Sequence, residues 1–215
     1  MNIFDMLTEQ TEYTAHTGKM YGVVIGIVTN NQDPEKLGRV KVRFPWLSES
    51  DESHWARVAT LMAGPDRGSF FLPEVDDEVL VAFEHGDIRF PYVIGALWNG
   101  VDVPPHDNAD GENNLRLLKS RSGHLIRLDD SSGGEKIEII DSSGNNSIVM
   151  NTADNTITIS ANADITIQSS SGKLTLSGNG IDLTSQAGVN IQASQTMDLQ
   201  SSAQLNIKGA MVNIN

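Results

Sequence analysis

Residues 157–176 read ITISANADITIQSSSGKLTL, and this stretch decides how the C-terminal half of the chain folds. An aliphatic residue, a polar residue and a second aliphatic residue form a short phrase, which returns after a few small polar residues. Two aliphatic side chains at positions i and i+2 lie on one face of a β-strand, whereas a helix would need a spacing of three or four. Each phrase therefore predicts a short strand followed by a corner.

The phrase belongs to an internal repeat whose period settles to eight residues. Aliphatic pairs begin at Ile137, Ile148, Ile157, Ile165, Leu174, Ile181, Val189, Met197, Leu205 and Val212. Asp, Asn, Gly and Ser lie between the pairs, and these residue types suit tight corners. We predict that the paired side chains form the interior of a needle: Ile157, Ile159, Ile165, Ile167, Leu174, Leu176, Ile181, Leu183, Val189, Ile191, Met197, Leu199, Leu205 and Ile207.

A single eight-residue repeat, which we call an octad, is too short to enclose a core of its own. Eight extended residues reach about 26 Å, so a closed triangle would have sides of about 9 Å, while facing sheets need ~10 Å between them. Two arrangements remain, in which one chain winds three octads per turn or three chains intertwine and each supplies one face. The ten pairs would give a single chain barely three turns, which favours the trimer, although the period alone leaves both open.

The N-terminal half has a different composition and predicts a small β-barrel. All Trp, Tyr, Phe and Pro residues of the chain lie within residues 1–110. Five segments with turn residues between them read as strands: YGVVIGIVTN, GRVKVRF, WARVATL, EVLVAF and PYVIGALW. Five strands in about 80 residues suit a partly open barrel of the OB type. In GRVKVRF the pattern places Val40, Val42 and Phe44 on one face of the strand.

The net charge of −13 makes nucleic acid and anionic lipid poor partners. Arg39, Lys41 and Arg43 lie near Trp46 and Trp55 and could form a stacking groove for single strands. The alternative, which the surplus of acidic residues favours, is that these cations pair with Asp and Glu while the aromatic residues fill the core. We therefore expect no nucleic-acid binding.

The sequence offers no catalytic, metal-binding or cofactor-binding constellation. The chain has no cysteine, and His54, His85, His106 and His124 are scattered. Two acidic stretches, residues 76–84 and 129–135, are better explained as a solvated loop with its strand face and as a corner leading into the first pair. The N-terminus has no signal-peptide pattern, and no segment reaches the ~20 apolar residues of a membrane span. We expect no enzymatic activity and no cofactor.

The order of the segments resembles a known family. GRVKVRFPW, WARVA and AGPDRGSFFLPEVDDEVLVAFEHGDIRFPYVIGALWNG are followed by SRSGHLIRLDD and the octads. This order resembles the spike proteins of contractile injection systems, namely the central baseplate spikes of contractile-tailed phages and the C-terminal part of VgrG proteins of type VI secretion. The family usually has PEVGDEV where this chain has PEVDDEV, so Asp76 puts the backbone angles of one turn in question.

The resemblance implies an all-β homotrimer in which OB barrels sit on a ring-shaped hub and the octads intertwine into a triangular β-helix. It implies an N-terminal hub-contacting segment at 1–17, an OB barrel at 18–100, a linker leading into the β-helix at 101–136 and a needle at 137–215. We expect a separate hub protein and a PAAR-type tip protein docked on Lys208, Met211, Val212, Asn213, Ile214 and Asn215.

The implied role is structural, because the spike leads the tube through the target envelope and meets the membrane only transiently. The protein would be made in the bacterial cytoplasm and assembled into a phage tail or injection-machine baseplate, from which it becomes extracellular or enters the target envelope. A β-helical tailspike adhesin or depolymerase is the alternative, with an OB-fold nucleic-acid binder behind it.

Overall fold

The computed structural model describes residues 19–214, and the regular structure of this part of the chain is β apart from one 3-10 turn. The expectation of an all-β protein is therefore confirmed. Residues 1–17, expected to contact a hub, and Asn215 lie outside the described residues. The chain divides after Ser160 into two units, which are described separately.

Twelve strands form in the described part of the first unit. In chain order they are β1 (Val24–Asn30), β2 (Lys41–Arg43), β3 (Arg57–Val58), β4 (Ala63–Gly64), β5 (Arg67–Gly68), β6 (Glu78–Phe83), β7 (Pro91–Ala96), β8 (Leu115–Lys119), β9 (Leu125–Asp129), β10 (Lys136–Ile140), β11 (Ser147–Asn151) and β12 (Thr156–Ser160). The 3-10 turn, Glu84–Gly86, follows β6.

The first sheet is curled and has the strand order β2-β1-β6-β7-β3. Its neighbours are antiparallel except β3 and β7, which are parallel. Val40, just before β2, exchanges two backbone hydrogen bonds with Ala56, just before β3, at 3.0 and 2.7 Å. The two edges of the sheet are thereby joined, as the predicted small barrel requires.

A set of valines fills this barrel. The largest side chains below 2% exposure are those of Val28, Val40, Val42, Val79, Val81 and Val93. Alternation along β6 sends every second side chain inward, and Phe83 and Phe44 meet at the rim in an edge contact with centroids 5.5 Å apart. The predicted inner face of Val40, Val42 and Phe44 is confirmed.

The expectation that aromatic residues fill the core is only partly right, because Trp46 is half exposed. Two predicted strands are also shorter than expected, with three residues in β2 and two in β3. In addition, β4 and β5 form a small hairpin within the segment predicted as a loop. The short strands sit where the barrel closes, and there the pairing is confined to isolated bridges at Val40–Ala56 and Arg43–Glu52.

The turn at Asp76 keeps the shape that a glycine would give it. Asp76 has a φ of +75°, in the left-handed region that favours glycine. Its backbone N–H donates to the carbonyl of Val28 at 2.8 Å, and the carboxylate of Asp77 accepts from the N–H of Glu74 at 2.8 Å. Asp76 therefore adopts a backbone conformation that a glycine would take without strain.

The second sheet is an antiparallel meander of five strands, in the order β12-β11-β10-β9-β8. We call residues 115–160 the meander. Each adjacent pair of strands matches five residues to five without a bulge. Two of these strands, β8 and β9, lie in the stretch 101–136 that was expected to be a linker leading into the β-helix. Residues 129–135 make the β9–β10 connection, as the corner interpretation predicted.

The second unit, described from 161 to 214, forms no strand within its own chain. Its backbone bends at regular intervals instead, at 162–163, 170–172, 178–179, 186–187, 194–195, 202–203 and 210. The bends repeat every eight residues, and each aliphatic pair lies in the straight segment between two bends. The predicted division into short segments and corners is thus present, but the strands that a β-helix needs are not formed by one chain.

Candidate assembly surface

One face of the meander carries two rows of side chains, set by the pairing register. The first row crosses all five strands at Leu118, Ile126, Ile139, Ile148 and Ile159. The second row crosses them at Arg116, Leu128, Ile137, Met150 and Ile157. Because side chains alternate between the faces of a strand, nine aliphatic side chains share this face with a single cation. We call it the apolar face.

The apolar face is largely uncovered in the single chain. Its aliphatic side chains are between 38% exposed, at Ile148 and Met150, and 71% exposed, at Ile157. Buried sheet faces of folded domains carry such residues at far lower exposure, and apolar patches of this extent mark interaction surfaces. The face therefore lacks the layer that normally packs on it.

A groove of about 960 Å³ runs along the first row. Besides the row itself, Phe71, Trp98 and Pro105 line it. Phe71 and Trp98 expose 70% and 69% of their surface, so the groove adds aromatic area to the aliphatic row.

The opposite face of the meander carries half-buried aliphatic side chains, such as Leu117, Leu125 and Val149, together with a charge network. Glu138 on β10 is paired in register with Arg127 on β9, and the Arg127 guanidinium donates to the Glu138 carboxylate, with Nε to Oε2 at 2.6 Å. Lys136 lies 3.4 Å from the other carboxylate oxygen. The Glu138 side chain is only 8% exposed, so this network fixes β9 and β10 against each other.

The hairpin turns of the meander are held by aspartates. Asp141 accepts hydrogen bonds from Ser143 Oγ at 2.8 Å and from Asn146 Nδ2 at 2.8 Å. The Ser143 hydroxyl and the neighbouring N–H groups lower the pKa of Asp141. Hydrogen bonds from Ser131 likewise lower the pKa of Asp129 in the preceding turn. The acidic residues of the stretch 129–135 thus serve as turn residues.

The octads of the second unit expose every predicted interior side chain. From Ile165 to Ile207 the first member of each pair is 44–59% exposed and the second is 63–68% exposed. This regular difference shows that the repeats share one conformation. Ser169, Ser185 and Ser201 follow alternate pairs, and each hydroxyl accepts from a backbone N–H two or three residues later. The corners are therefore stabilised locally while the aliphatic pairs stay uncovered.

The side chains expected to dock a tip protein are also exposed. Lys208, Met211, Val212, Asn213 and Ile214 are all accessible. Asn215 lies outside the described residues.

The cations of β2 do not form a free binding groove. Arg39 makes a two-pronged ion pair with Asp33, with Nε to Oδ2 at 2.9 Å and Nη2 to Oδ1 at 2.8 Å, and it also contacts Glu35. Lys41 pairs with Glu52 at 2.9 Å. Arg39 and Lys41 lie over the Trp55 ring at 5.9 and 5.6 Å from its centroid. Two of the three cations that a nucleic acid would use are therefore already paired with acidic side chains.

The other titratable residues singled out by the sequence are dispersed. Asp76 and Asp77 lie in the turn before β6, and Glu84 follows the far end of that strand. His106 and His124 accept backbone hydrogen bonds through Nδ1, at 3.0 and 3.1 Å. Among residues 19–214 no cluster of three or more His, Asp or Glu residues could hold a metal ion. The same described range contains no helix of the length and apolarity that a bilayer crossing requires.

Sequence reasoning missed part of the apolar face. Leu118, Ile126 and Leu128 belong to it, although the repeat was counted only from Ile137. Ile126 and Leu128 are themselves an i, i+2 pair, so the signal was present one strand earlier. Phe71 and Trp98 had no such signal, because their position beside the first row depends on the folded first unit.

Comparison with known proteins places the barrel in a family. Residues 24–98 match the type VI secretion system/phage-baseplate injector OB domain. The chain is 31% identical over 124 residues to the type VI secretion system spike protein VgrG2a of Pseudomonas aeruginosa, covering 54% of this chain and 15% of that protein. It is 30% identical over 136 residues to VgrG1a of the same organism, covering 58% and 21%.

A third relative is the spike protein VgrG3 of Vibrio cholerae, 38% identical over 93 residues that cover 41% of this chain and 9% of that protein. The chain spans only about a fifth or less of the length of these relatives. Residues 24–98 are an injector OB domain, and over 41–58% of its length the chain is similar to type VI secretion system spike proteins.

Proposed function

We propose that the protein is the trimeric spike at the centre of a contractile injection baseplate, where it joins a ring-shaped hub to a tip protein and leads penetration of the target envelope. The observation that carries this proposal is the second unit, in which straight segments alternate with bends every eight residues while every aliphatic pair is exposed. Such a chain has the segment length that a triangular β-helix needs, but it supplies only one of the three faces.

Two physical requirements support three chains. Extended backbone needs ladder partners for its N–H and C=O groups, and residues 161–214 form no ladder among themselves. The aliphatic pairs also need cover, since burying such side chains is the main stabilising term in folding. Three intertwined chains satisfy both requirements at once, because each segment gains strand neighbours above and below and a shared interior.

The intertwined arrangement also gives a spike its mechanical properties. Ladders perpendicular to the needle would repeat at ~4.7 Å, so ten aliphatic levels span roughly 45–50 Å. The outward positions are mostly Ser, Thr, Asn and Gln, which present a smooth polar surface. A dry interior with a continuous backbone ladder resists bending, as puncturing requires.

The comparisons support a spike role through the relatives, whose names describe type VI secretion spike proteins. In our proposal the barrel contacts the hub, and Met211, Val212 and Ile214 offer an apolar surface to a PAAR-type tip protein. The role involves no enzymatic step, no cofactor and no nucleic acid. The protein is made in the bacterial cytoplasm, assembled into the baseplate and delivered to the target envelope, with transient membrane contact.

The mass of the purified full chain tests this proposal. Sedimentation equilibrium or native mass spectrometry should give three times the chain mass of 23.3 kDa. A monomer at micromolar concentration would contradict the trimer and would favour the alternative in which one chain winds three octads per turn.

A second experiment tests the role in penetration. Deleting the gene in the producing bacterium should abolish target killing or injection, and complementation with the wild-type gene should restore it. Undiminished killing by the deletion strain would contradict the spike role. Release of sugars from surface polysaccharide or peptidoglycan by the pure protein would instead favour the depolymerase.

A further inference from the structure

We infer that the meander is the module on which three chains first associate and which sets their register before the octads intertwine. The inference rests on the proposed trimeric spike and adds an order of assembly to it.

The first step is that the meander folds within one chain and the octads do not. Its five strands satisfy one another through four ladders, each matching five residues to five. Residues 161–214 carry the same aliphatic pairs but form no ladder within the chain. A surface that exists before association can capture a partner, whereas a surface created by association cannot.

The second step identifies the occupant of the apolar face as further copies of this chain. Ile157 and Ile159 end the two rows of the face and are also a pair of the octad series, so the same pattern of aliphatic pairs continues along the sequence past Ser160. Further copies of this chain, which the proposed trimer places on the octads, are therefore the partner whose surface chemistry matches the face. Five strands at ~4.8 Å and five residues at ~3.3 Å give a face of about 400 Å², the size at which exposed patches signal partners.

The third step is that the octads cannot set their own register. Successive repeats are nearly alike, so sliding one chain by eight residues would leave most aliphatic levels filled and lose contacts only at the ends. Weakly specified registers of this kind slip readily. The meander does not repeat in this way, because its pairs are 11, 11 and 9 residues apart from Ile126 to Ile157 and the Arg127–Glu138 pair occurs once.

The groove along the first row supplies a further fixed point. Phe71 and Trp98 lie at this row and have no counterpart in the octads, which contain no aromatic residue. A neighbouring chain that packs into the groove is therefore held at one height. Three chains docked in this way enter the octads in the same register.

The first test compares lysine substitutions on the apolar face of the meander with a lysine substitution in the octads, all in the full chain. Ile148→Lys and Leu118→Lys, at an inner position and at one end of the first row, should weaken the trimer at least about tenfold by burying unpaired charge. Thr158→Lys, on the other face of β12, is the matched control and should leave the trimer intact. Ile181→Lys, in an octad, should leave a trimer whose needle is locally more sensitive to protease.

Sedimentation velocity over a dilution series measures how strongly each variant forms the trimer, and far-UV circular dichroism verifies that the variants keep their strands. Because Ile148 and Leu118 are exposed in the single chain, a lysine there can reach solvent and leave the meander folded. A trimer that withstands both row variants but dissociates with Ile181→Lys would overturn the inference and leave the trimeric spike intact. A monomeric wild type would instead overturn the spike proposal itself.

The second test reads the register directly, using the absence of native cysteine. Leu183→Cys and Leu199→Cys lie two octads apart, and the two chains are co-expressed with different tags. Chains in register hold these two cysteines two strand levels apart, about 9.5 Å, and should form no disulfide between the two tags, whereas a slip of one octad makes them neighbours on adjacent levels.

We expect no mixed disulfide with an intact meander and a clear mixed disulfide when Ile148→Lys is added to both chains. Mixed disulfides with the intact meander would show that it does not set the register. Their absence from Ile148→Lys trimers would show that another segment does, and either result overturns the inference.

Discussion

Glu138 of β10 and Arg127 of β9 face each other in register on the side of the meander opposite the apolar face, and the guanidinium covers a carboxylate that is only 8% exposed. Such a buried ion pair fixes the relative position of its two strands but adds little net stability, because the cost of desolvating both charges offsets much of their attraction. It lies directly behind the apolar face, so it fixes the two strands on which Ile126 and Ile139 stand.

Removing one partner should be worse than removing both. Arg127→Met leaves the Glu138 charge with only Lys136 nearby, and we expect a loss of about 2–3 kcal/mol in meander stability. Arg127→Met combined with Glu138→Met removes both charges and should lose less than about 1 kcal/mol. Hydrogen exchange of the β9–β11 amides measures both, and equal losses would contradict the role of an uncompensated charge.

The left-handed turn at Asp76 predicts a stabilising substitution. Asp76→Gly should be neutral or stabilise the barrel by up to about 1 kcal/mol, because a side chain strains a backbone with positive φ. Asp76→Val should destabilise it by about 1–2 kcal/mol. Urea unfolding followed by Trp fluorescence reports mainly on the barrel, since Trp46 and Trp55 lie within its sequence and only Trp98 also lines the meander groove. A stability order with valine above glycine would contradict the turn geometry.

The ion pairs of the barrel predict a loss of stability in acid. Arg39 lowers the pKa of Asp33, and Arg89 lowers the pKa of Asp87 to about 2. A carboxyl whose pKa is lower in the folded state stabilises the fold above its unfolded pKa of 3.8 and loses that contribution as pH falls through the folded value. Urea midpoints should therefore fall steadily from about pH 4 towards pH 2.

Asp33→Asn and Arg39→Gln should both flatten this part of the profile, because each removes the same pair. Asp33 is the sharper test, since its side chain is 3% exposed and also accepts from the N–H groups of Glu35 and Leu37. A profile unchanged by either substitution would show that the pair does not control acid stability.

The valine core predicts a contrast between two positions of the barrel. Val81 is fully buried at the centre of the sheet, so Val81→Ala should lower barrel stability by about 2 kcal/mol through lost burial and a small cavity. Val23 is 56% exposed just before β1, and Val23→Ala should change it by less than about 0.5 kcal/mol. Thermal unfolding monitored by Trp fluorescence compares them, and similar midpoints would contradict the observed core.

The barrel strands and the octad corners were largely readable from the sequence. The segment EVLVAF predicted the bounds of β6, and alternation along GRVKVRF predicted the inward face of Val40, Val42 and Phe44, because side chains that alternate along a strand place every second residue on the buried face. The bends every eight residues coincide with the predicted corners, because Ser, Gly and Asn favour the backbone conformations of tight turns wherever they occur in the chain. The short β2 and β3 were overestimated, because pairing at the barrel closure depends on distant partners such as Val40 and Ala56.

By itself the sequence determined the all-β class, the small barrel and the period of the repeat, which are local or periodic properties of the chain. Only the tertiary structure decided that residues 115–160 fold back as an antiparallel meander, that Leu118 and Ile126 join the later aliphatic pairs in one row, and that Phe71 and Trp98 lie beside it. Those relationships depend on which strand pairs with which, and hairpin register is set by contacts between residues far apart in the chain. The octads expose their aliphatic pairs because residues 161–214 form no strand pairing among themselves.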